Sequence, residues 1–438
     1  MDKSLSETST LLSWSLSKKI AFRFFVLYFF LIMFPYPLDF IPLSNSVFQY
    51  YYDFMNAATI WFGKSVMGIK QPIEILFNGS GDTTLNYVRE FFIIVLALIG
   101  TIIWSLLARK YPTHQKFSFW FSGILKYYLF YFMWSYGFAK VFQSQFPFPS
   151  LIKLSEPLGN FSPMGLAWSY MGYSPGYNLF TGGLEVLAGC LLVFKRTTAL
   201  GAIMLMGVML NVFMMNLLYD IPVKIFSAEL ILMGAFILAP DFKRVVNVFF
   251  LNKTAEPADL SPFIKKKKLR IILGVLNVLI VGYLFTDNFI SNYGYAADAN
   301  DIGKRPPLYG IYKVEKFIRN GDTIPPLTTD STRWFRLIVQ SPEKVRLENM
   351  KLQKYFESME VDSVKRTGIM KNTFDSTLVF NFTYQFPQKE KLIVEGIFGK
   401  DTLKVEMQKV NVDSFLLIKR GFHWINEEPF NKPRFEGP

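Results

Sequence analysis

The sequence predicts a polytopic α-helical membrane bundle of about seven spans, followed by a soluble antiparallel β-sheet or β-barrel. Three observations predict it. Apolar stretches long enough to cross a bilayer recur between Ile20 and Phe285. Carboxylates stand inside them: Glu185 in the first and Glu229 in the third of three apolar segments that run almost without loops from Gly176 to Ala239. From about Asn292 the composition changes to short, alternating, charge-rich segments separated by turn residues.

The spans are Ile20–Tyr36, Val88–Ala108, Phe117–Phe138, Tyr177–Phe194, Ala199–Leu218, Val223–Ala239 and Ile271–Phe285. The first is shortened by Pro35 and Pro37, and the last is the shortest. With 51% of its 438 residues hydrophobic and 17% aromatic, the chain is too apolar for one ordinary soluble domain. The N-terminus lacks a basic start that leads directly into an apolar run and a small-residue cleavage motif, so no cleaved signal peptide is expected.

Lysine and arginine in the loops orient the bundle. One side collects Lys3, Lys18, Lys19, Arg109, Lys110, Lys116, Lys195, Arg196, Lys243, Arg244, Lys253, Lys265 to Lys268 and Arg270, sixteen in all; the other has Lys64, Lys70 and Lys153. Such a bias expects the sixteen in the cytoplasm, with the chain N-terminus. Five acids (Asp2, Glu7, Asp241, Glu256, Asp259) face those sixteen bases, so +11 of the formal +13 forms a basic collar. The charge therefore reads as an orientation signal, and no nucleic-acid partner is expected. Seven spans then put everything after Phe285 outside, in the periplasm of a bacterial inner membrane.

Five segments follow. Residues 1–116 hold the N-terminal segment, two spans and an outer amphipathic loop; 117–240 a four-helix core; 241–270 a basic cytoplasmic loop; 271–290 the last span; 291–438 the β-rich domain. Within the outer loop, NSVFQYYYDFMNAATIWFGKSVMGI is amphipathic and aromatic and is expected to lie along the interface. Asn78–Thr84 (NGSGDTT) reads as a turn, since no strand precedes it and no Lys-Ser/Thr pair follows. Phe146–Pro175 is expected as an irregular cap. In the tail, strands are expected at Tyr309–Ile318, Trp334–Val339, Val345–Leu347, Leu378–Tyr384, Leu392–Phe398, Leu403–Gln408 and Phe415–Lys419, with a hairpin at Asn320-Gly321. Such an extramembrane domain is expected to fold alone and to bind a protein partner or lipid.

The chemistry available is narrow. Cys190 is the single cysteine, so no intramolecular disulfide and no cysteine-ligated cluster can form; His114 and His423 are the only histidines. No metal site is expected, and no catalytic constellation stands out, so the reading leans away from an enzyme. With the topology above, Lys140, Glu185, Asn211, Lys224 and Glu229 fall at a common depth in the outer half of the membrane, with Trp134, Tyr136 and Asp220 beside them. Membrane lipid surrounds them. Two readings fit: interhelical hydrogen-bond glue, or a pocket for a ligand, a quinone or a proton. Gly182, Gly183 and Gly189 read as packing positions, and Cys190 likewise.

Three stretches carry a likeness. Tyr131–Phe142 ends in aromatic-Gly-x-x-Lys; Gly182–Leu200 holds a Glu followed by Ala-Gly and a basic pair with Thr; Asn211–Leu238 continues them. Over residues 117–240 this resembles the DoxX-like integral membrane proteins, and the whole chain resembles long Bacteroidetes-type members. The resemblance implies a four-helix core in which Lys140 and Glu185 are the family's polar positions. It also implies a place in quinone-coupled sulfur oxidation or in a thiol-redox complex, with quinone as the cofactor; the two leading spans, the last span and the β domain are additions to the minimal family. A small-molecule or lipid transporter is a further alternative. Within the tail, Gly310-x-Tyr312 and Arg420 before Phe422-His423-Trp424 resemble the ends of lipocalin-like barrels, which implies an arginine over the Tyr312 ring.

The topology is testable with alkaline-phosphatase fusions. A fusion after Asn292 should be active and one after Lys253 inactive; the reverse pattern would sink this orientation.

Overall fold

A computed structural model describes residues 13–38, 44–258, 263–300, 305–375 and 377–427. Asp2, Lys3, Glu7 and Asp259 of the basic collar lie outside the described residues. The chain forms two compact units: one of Met1–Phe148 and Phe161–Ala299, the other of Pro149–Asn160 and Asn300–Pro438.

The first unit is helical. Its elements are α1 (Leu16–Met33), α2 (Asn45–Ser65), α3 (Thr84–Leu107) and α4 (Gln115–Val141). The short α5 (Leu151–Leu154) belongs to the second unit. Then come α6 (Pro163–Tyr173), α7 (Pro175–Val193), α8 (Thr198–Leu218), α9 (Lys224–Leu238), α10 (Phe242–Phe249) and α11 (Lys267–Asn300). Among the described residues, five helical stretches are long and apolar enough to cross a membrane: Thr84–Leu107, Pro175–Val193, Thr198–Leu218, Lys224–Phe249 and Lys267–Ala297. The expected first and third spans are helices too, but are less apolar. Lys18, Lys19 and Arg23 charge α1, while α4 draws its apolarity from Tyr, Trp and Phe and carries Lys116, Lys126 and Lys140. The last helix runs 34 residues, well beyond the expected Phe285.

Local chemistry sets the helix starts. Ser15, Ser162 and Ser174 each accept a backbone N–H three residues on, and Pro follows directly at the first position of α6 and α7. The expected irregular cap at 146–175 is thus partly helical, because Ser162-Pro163 nucleates α6. Thr83 and Asn86 close a capping box on α3. The NGSGDTT stretch is a turn, as expected, and it also caps another helix: the Asp82 carboxylate accepts the backbone N–H of Lys224 (2.8 Å) and of Ile225 (3.1 Å) at the start of α9.

Helix α4 packs on α7 and α9, and α8 packs on the same two, giving a four-helix ring; α3 carries α1 and α2. The closest approach is α4 to α7. A Cβ on Gly182 would stand 2.5 Å from the Gly137 carbonyl oxygen, and one on Gly137 would stand 2.7 Å from Val186. Gly189 likewise lies under the Trp134 ring, whereas Gly183 faces open space.

The second unit is a closed antiparallel barrel of eight strands. These are β1 (Gly310–Arg319), β3 (Trp334–Ser341), β4 (Lys344–Asn349), β5 (Lys354–Asp362), β6 (Thr367–Asn372), β7 (Val379–Gln388), β8 (Lys391–Phe398) and β9 (Asp401–Lys409). Each pairs with the next, β9 returns to β1, and the two-residue β2 (Asp322–Thr323) is a hairpin arm on β1. At the expected hairpin, Asn320 and Gly321 both take positive φ (53° and 91°), as a tight two-residue turn requires. Inward positions are filled by side chains such as Tyr312, Phe317, Phe380, Leu392, Val405 and Met407.

Two strands, β5 and β6, were not expected. The inward face of β5 starts with Glu357, buried and bonded by Asn372 Nδ2 (2.9 Å), so the apolar alternation is broken. On β6 the inward Gly368 is covered by the Phe382 ring. The strand expected at Phe415–Lys419 is instead a short helix, α12 (Leu416–Lys419). With β9 already paired to β1, the barrel has no edge left for it. Nor does Arg420 take the expected place; the cation 5.7 Å from the Tyr312 ring centroid is Lys409 Nζ.

Residues Pro149–Asn160 clasp the outer face of β3 and β4. Leu151 packs on Ile311 and Ile338, and its N–H donates to Gln340 Oε1 (2.8 Å). Glu156 accepts from Arg346 (2.7 Å) and from Lys354. Arg346 Nε also lies 3.0 Å from Glu348, and its guanidinium donates to the Ile152 carbonyl. Arg336 joins Glu348 to the Ser155 carbonyl. Burial alone would raise the Glu156 carboxyl, but the hydrogen bonds and charges of Lys354 and Arg346 outweigh it and hold the group below its ordinary 4.5.

Two consequences are measurable. A depressed carboxyl stabilises above the unfolded pKa and stops doing so as pH falls through the lower native value, so the clasp should loosen only below about pH 4.5. Glu156→Gln strips Arg346 of one buried partner and should cost the barrel about 3 kcal/mol at neutral pH, the lower end for a broken buried pair because Glu348 remains. Residues 300–438 alone should therefore melt lower than the same segment joined to residues 149–160; equal melting curves by circular dichroism would refute the role of the clasp.

Candidate functional site

The sequence expectation was one polar pocket at a common depth. The structure places those residues in separate neighbourhoods. Lys140, near the end of α4, forms an ion pair with Glu185 of α7 at 2.8 Å, with side chains only 8% and 1% exposed. Gly137 and Gly182, three residues before each, bring the two backbones close enough for that pair. The Lys140 ammonium also lies 5.7 Å from the Tyr136 ring centroid and 5.9 Å from that of Phe146. Trp134 is buried beside Phe130 and Phe138, and its indole N–H donates to the Val186 carbonyl at 3.2 Å. Cys190 packs against this cluster, as a packing residue does.

Glu185 and Glu229 do not share a cavity, contrary to expectation. Glu185 is turned towards α4, whereas Glu229 on α9 lines a cavity with Glu90 of α3. Among the described residues, no lysine pairs with Glu229. The Tyr28 hydroxyl of α1 donates to Glu90. Lys224 lies elsewhere, pairing with Asp82 at 3.6 Å and with the exposed Asp220 at 3.3 Å. Asn211 is exposed on α8 and joins none of these groups. Its neighbour in sequence, Asn216, is the buried one: its amide reaches Ser227 Oγ (3.0 Å) and the Val223 carbonyl (3.2 Å), tying the α8–α9 turn.

The Glu90–Glu229 pair lines a cavity of about 570 Å³. Arg89, Asn86, Tyr51, Tyr128, Tyr136 and Phe226 share the wall, with Gly79, Ser80 and Gly81 of the capping turn and the apolar Leu31, Ile32 and Ile93. Arg89 donates to Asn56 Oδ1 at 2.5 Å, while its Nε is buried without a hydrogen-bond partner. Tyr136 lines this cavity and also adjoins Lys140. Aromatic and aliphatic walls with a few convergent polar groups are what a site for an amphipathic small molecule needs.

Glu90, Arg89 and Tyr28 were not singled out by the sequence reading. A signal existed for two of them: Arg89 and Glu90 stand at the second and third positions of the expected Val88–Ala108 span. Among the described residues, no group of three or more His, Cys, Asp or Glu side chains could hold a metal ion.

The two sites should respond differently to mutation. Lys140→Met leaves a buried carboxylate alone and should cost about 3–5 kcal/mol of stability, whereas Lys140→Met combined with Glu185→Met should recover most of it. Thermal denaturation in detergent measures both. A double variant as unstable as the single one would count against a self-contained pair.

Comparison with known proteins adds one relative. The chain is 36% identical over 101 residues to the uncharacterized protein YwoB of Bacillus subtilis (strain 168), covering 23% of this chain and 63% of that protein. The chain thus spans somewhat under two thirds of that relative's length. No family model matches the chain, and no solved structure matches it.

Proposed function

We propose that the protein is a non-enzymatic component of the bacterial cell envelope. Its helical region holds a membrane-resident amphipathic molecule, and its β-barrel serves as an extramembrane module for a protein partner. The observation that carries the reading is the cavity between α1, α2, α3, α4 and α9, with its two carboxyl groups, its guanidinium and its aromatic walls. The Lys140–Glu185 pair fits a lock between helices better than a ligand site, because both side chains are buried and paired with each other through Glu185 Oε2. The lysine and arginine bias supports an inner-membrane protein with its N-terminus in the cytoplasm and its barrel in the periplasm. The likeness to DoxX-like proteins supports membership of a larger membrane complex.

A quinone-binding subunit of a thiol or sulfur redox system is the second reading. Tyrosines and two carboxyl groups beside aromatic rings suit a flat molecule with carbonyl acceptors. Any redox centre would belong to partner proteins.

The test is extraction of the full chain in mild detergent, followed by mass spectrometry of co-purifying lipids and quinones. Wild-type protein should retain one such molecule near one per chain. Glu229→Leu should reduce that content by about tenfold, equivalent to about 1.4 kcal/mol of binding. Equal content in the two proteins would overturn the pocket as the binding site.

A further inference from the structure

Helix α10 has two chemically different faces. Its apolar residues Phe242, Val245, Val246 and Phe249 recur at i, i+3, i+4 and i+7, and so share one face. Val245 packs on the helical core, but Phe242 and Phe249 are 60% and 75% exposed. Lys243 and Asn247, four residues apart, share the opposite face. Beyond the helix, Asn252 takes a positive φ of 50° and reverses the chain, so that the Lys253 N–H donates to the Asn247 carbonyl at 2.8 Å. A second lysine is thereby held at the end of the helix that carries Lys243.

These two cations are not neutralised within the protein. Arg244 pairs with Asp241 and donates to the Glu256 carbonyl at 2.9 Å. Lys243 and Lys253 are exposed and, among the described residues, form no ion pair; nor does the exposed Glu256.

Depth supplies the partner. Helix α10 completes the stretch Lys224–Phe249, which is long and apolar enough to cross a membrane. A hydrocarbon core takes about 20 helical residues, and a count from Lys224 ends at Lys243. Residues from Lys243 to Phe249 therefore fall in the headgroup layer, where a lysine stem reaches phosphate and an aromatic ring meets acyl chains. A nucleic acid or an acidic protein would supply anions to Lys243 and Lys253 but no hydrocarbon to Phe242 and Phe249. A phosphatidylcholine headgroup brings its own ammonium to the same two lysines. An anionic phospholipid matches both faces.

We propose that α10 is a docking surface for an anionic phospholipid, whose phosphate meets Lys243 and Lys253 and whose acyl chains cover Phe242 and Phe249.

The test reconstitutes the full chain in nanodiscs that hold equal amounts of phosphatidylglycerol and phosphatidylcholine, and native mass spectrometry counts the lipids that stay bound. Wild-type protein should retain phosphatidylglycerol over phosphatidylcholine by about tenfold. Lys243→Gln combined with Lys253→Gln should cut that ratio by about fivefold or more, whereas Lys243→Arg combined with Lys253→Arg should preserve it. Lys110 and Lys116 are also exposed and lie at the same end of the bundle, where the Phe22 ring stacks on His114 and on Phe236. Lys110→Gln combined with Lys116→Gln removes the same charge and should change the ratio by less than about twofold. An equal fall in the two glutamine doubles would overturn the proposal in favour of a diffuse basic surface. Equal retention of the two lipids by the wild type, or a dimer that retains neither, would overturn it outright.

Discussion

A charged or hydrogen-bonding group inside an apolar helical region must meet a partner on a neighbouring helix, and that requirement organises the first unit of this protein. Lys140 meets Glu185 across α4 and α7, the Tyr28 hydroxyl meets Glu90 across α1 and α3, and Asp82 meets the open N-terminus of α9. Each partnership needs a particular approach of backbones. Gly137 and Gly182 permit the closest of them, and a side chain at either would collide with backbone of the opposing helix. Removing one polar partner strands the other, so these residues constrain the fold more strongly than their number suggests.

The partnerships also separate two roles that the residue types alone leave merged. Lys140 and Glu185 are buried and paired with each other, Glu185 Oε1 alone lacking a hydrogen-bond partner, which fits a lock. Glu90, Glu229 and Arg89 are not fully satisfied by each other and border a cavity, which is the signature of a site. Tyr136 adjoins both, and the capping turn that Asp82 anchors brings Gly79, Ser80 and Gly81 into the cavity wall.

In the second unit the equivalent constraint is closure. Pairing of β9 with β1 removes the sheet edges, so the chain beyond Lys409 turns into a short helix although its residues suit a strand. The outer face of β3 and β4 carries Arg346, Glu348 and Ile338, which would be costly to leave half covered. A segment distant in sequence, Pro149–Asn160, completes that face through Glu156 and Leu151. Because that segment lies between α4 and α6 in the chain, the barrel unit is not one continuous stretch of sequence.

Much of this was legible from residue order. Apolar runs marked the helices, serine, threonine and proline marked their starts, and Asn320-Gly321 marked a hairpin, because these depend on neighbours within a few positions. The β5 strand was hidden by the inward Glu357, whose burial is tolerated through Asn372 on the next strand. Sequence depth grouped Glu185 with Glu229, but depth leaves open which way each helix is rotated. Rotation is fixed by packing, which turned Glu185 to Lys140 and Glu229 to the cavity it lines with Glu90, and left Asn211 exposed. The sequence by itself determined the elements and the kinds of polar group buried among them. Only the tertiary structure decided which group met which, because each choice of partner depends on residues far apart in the chain.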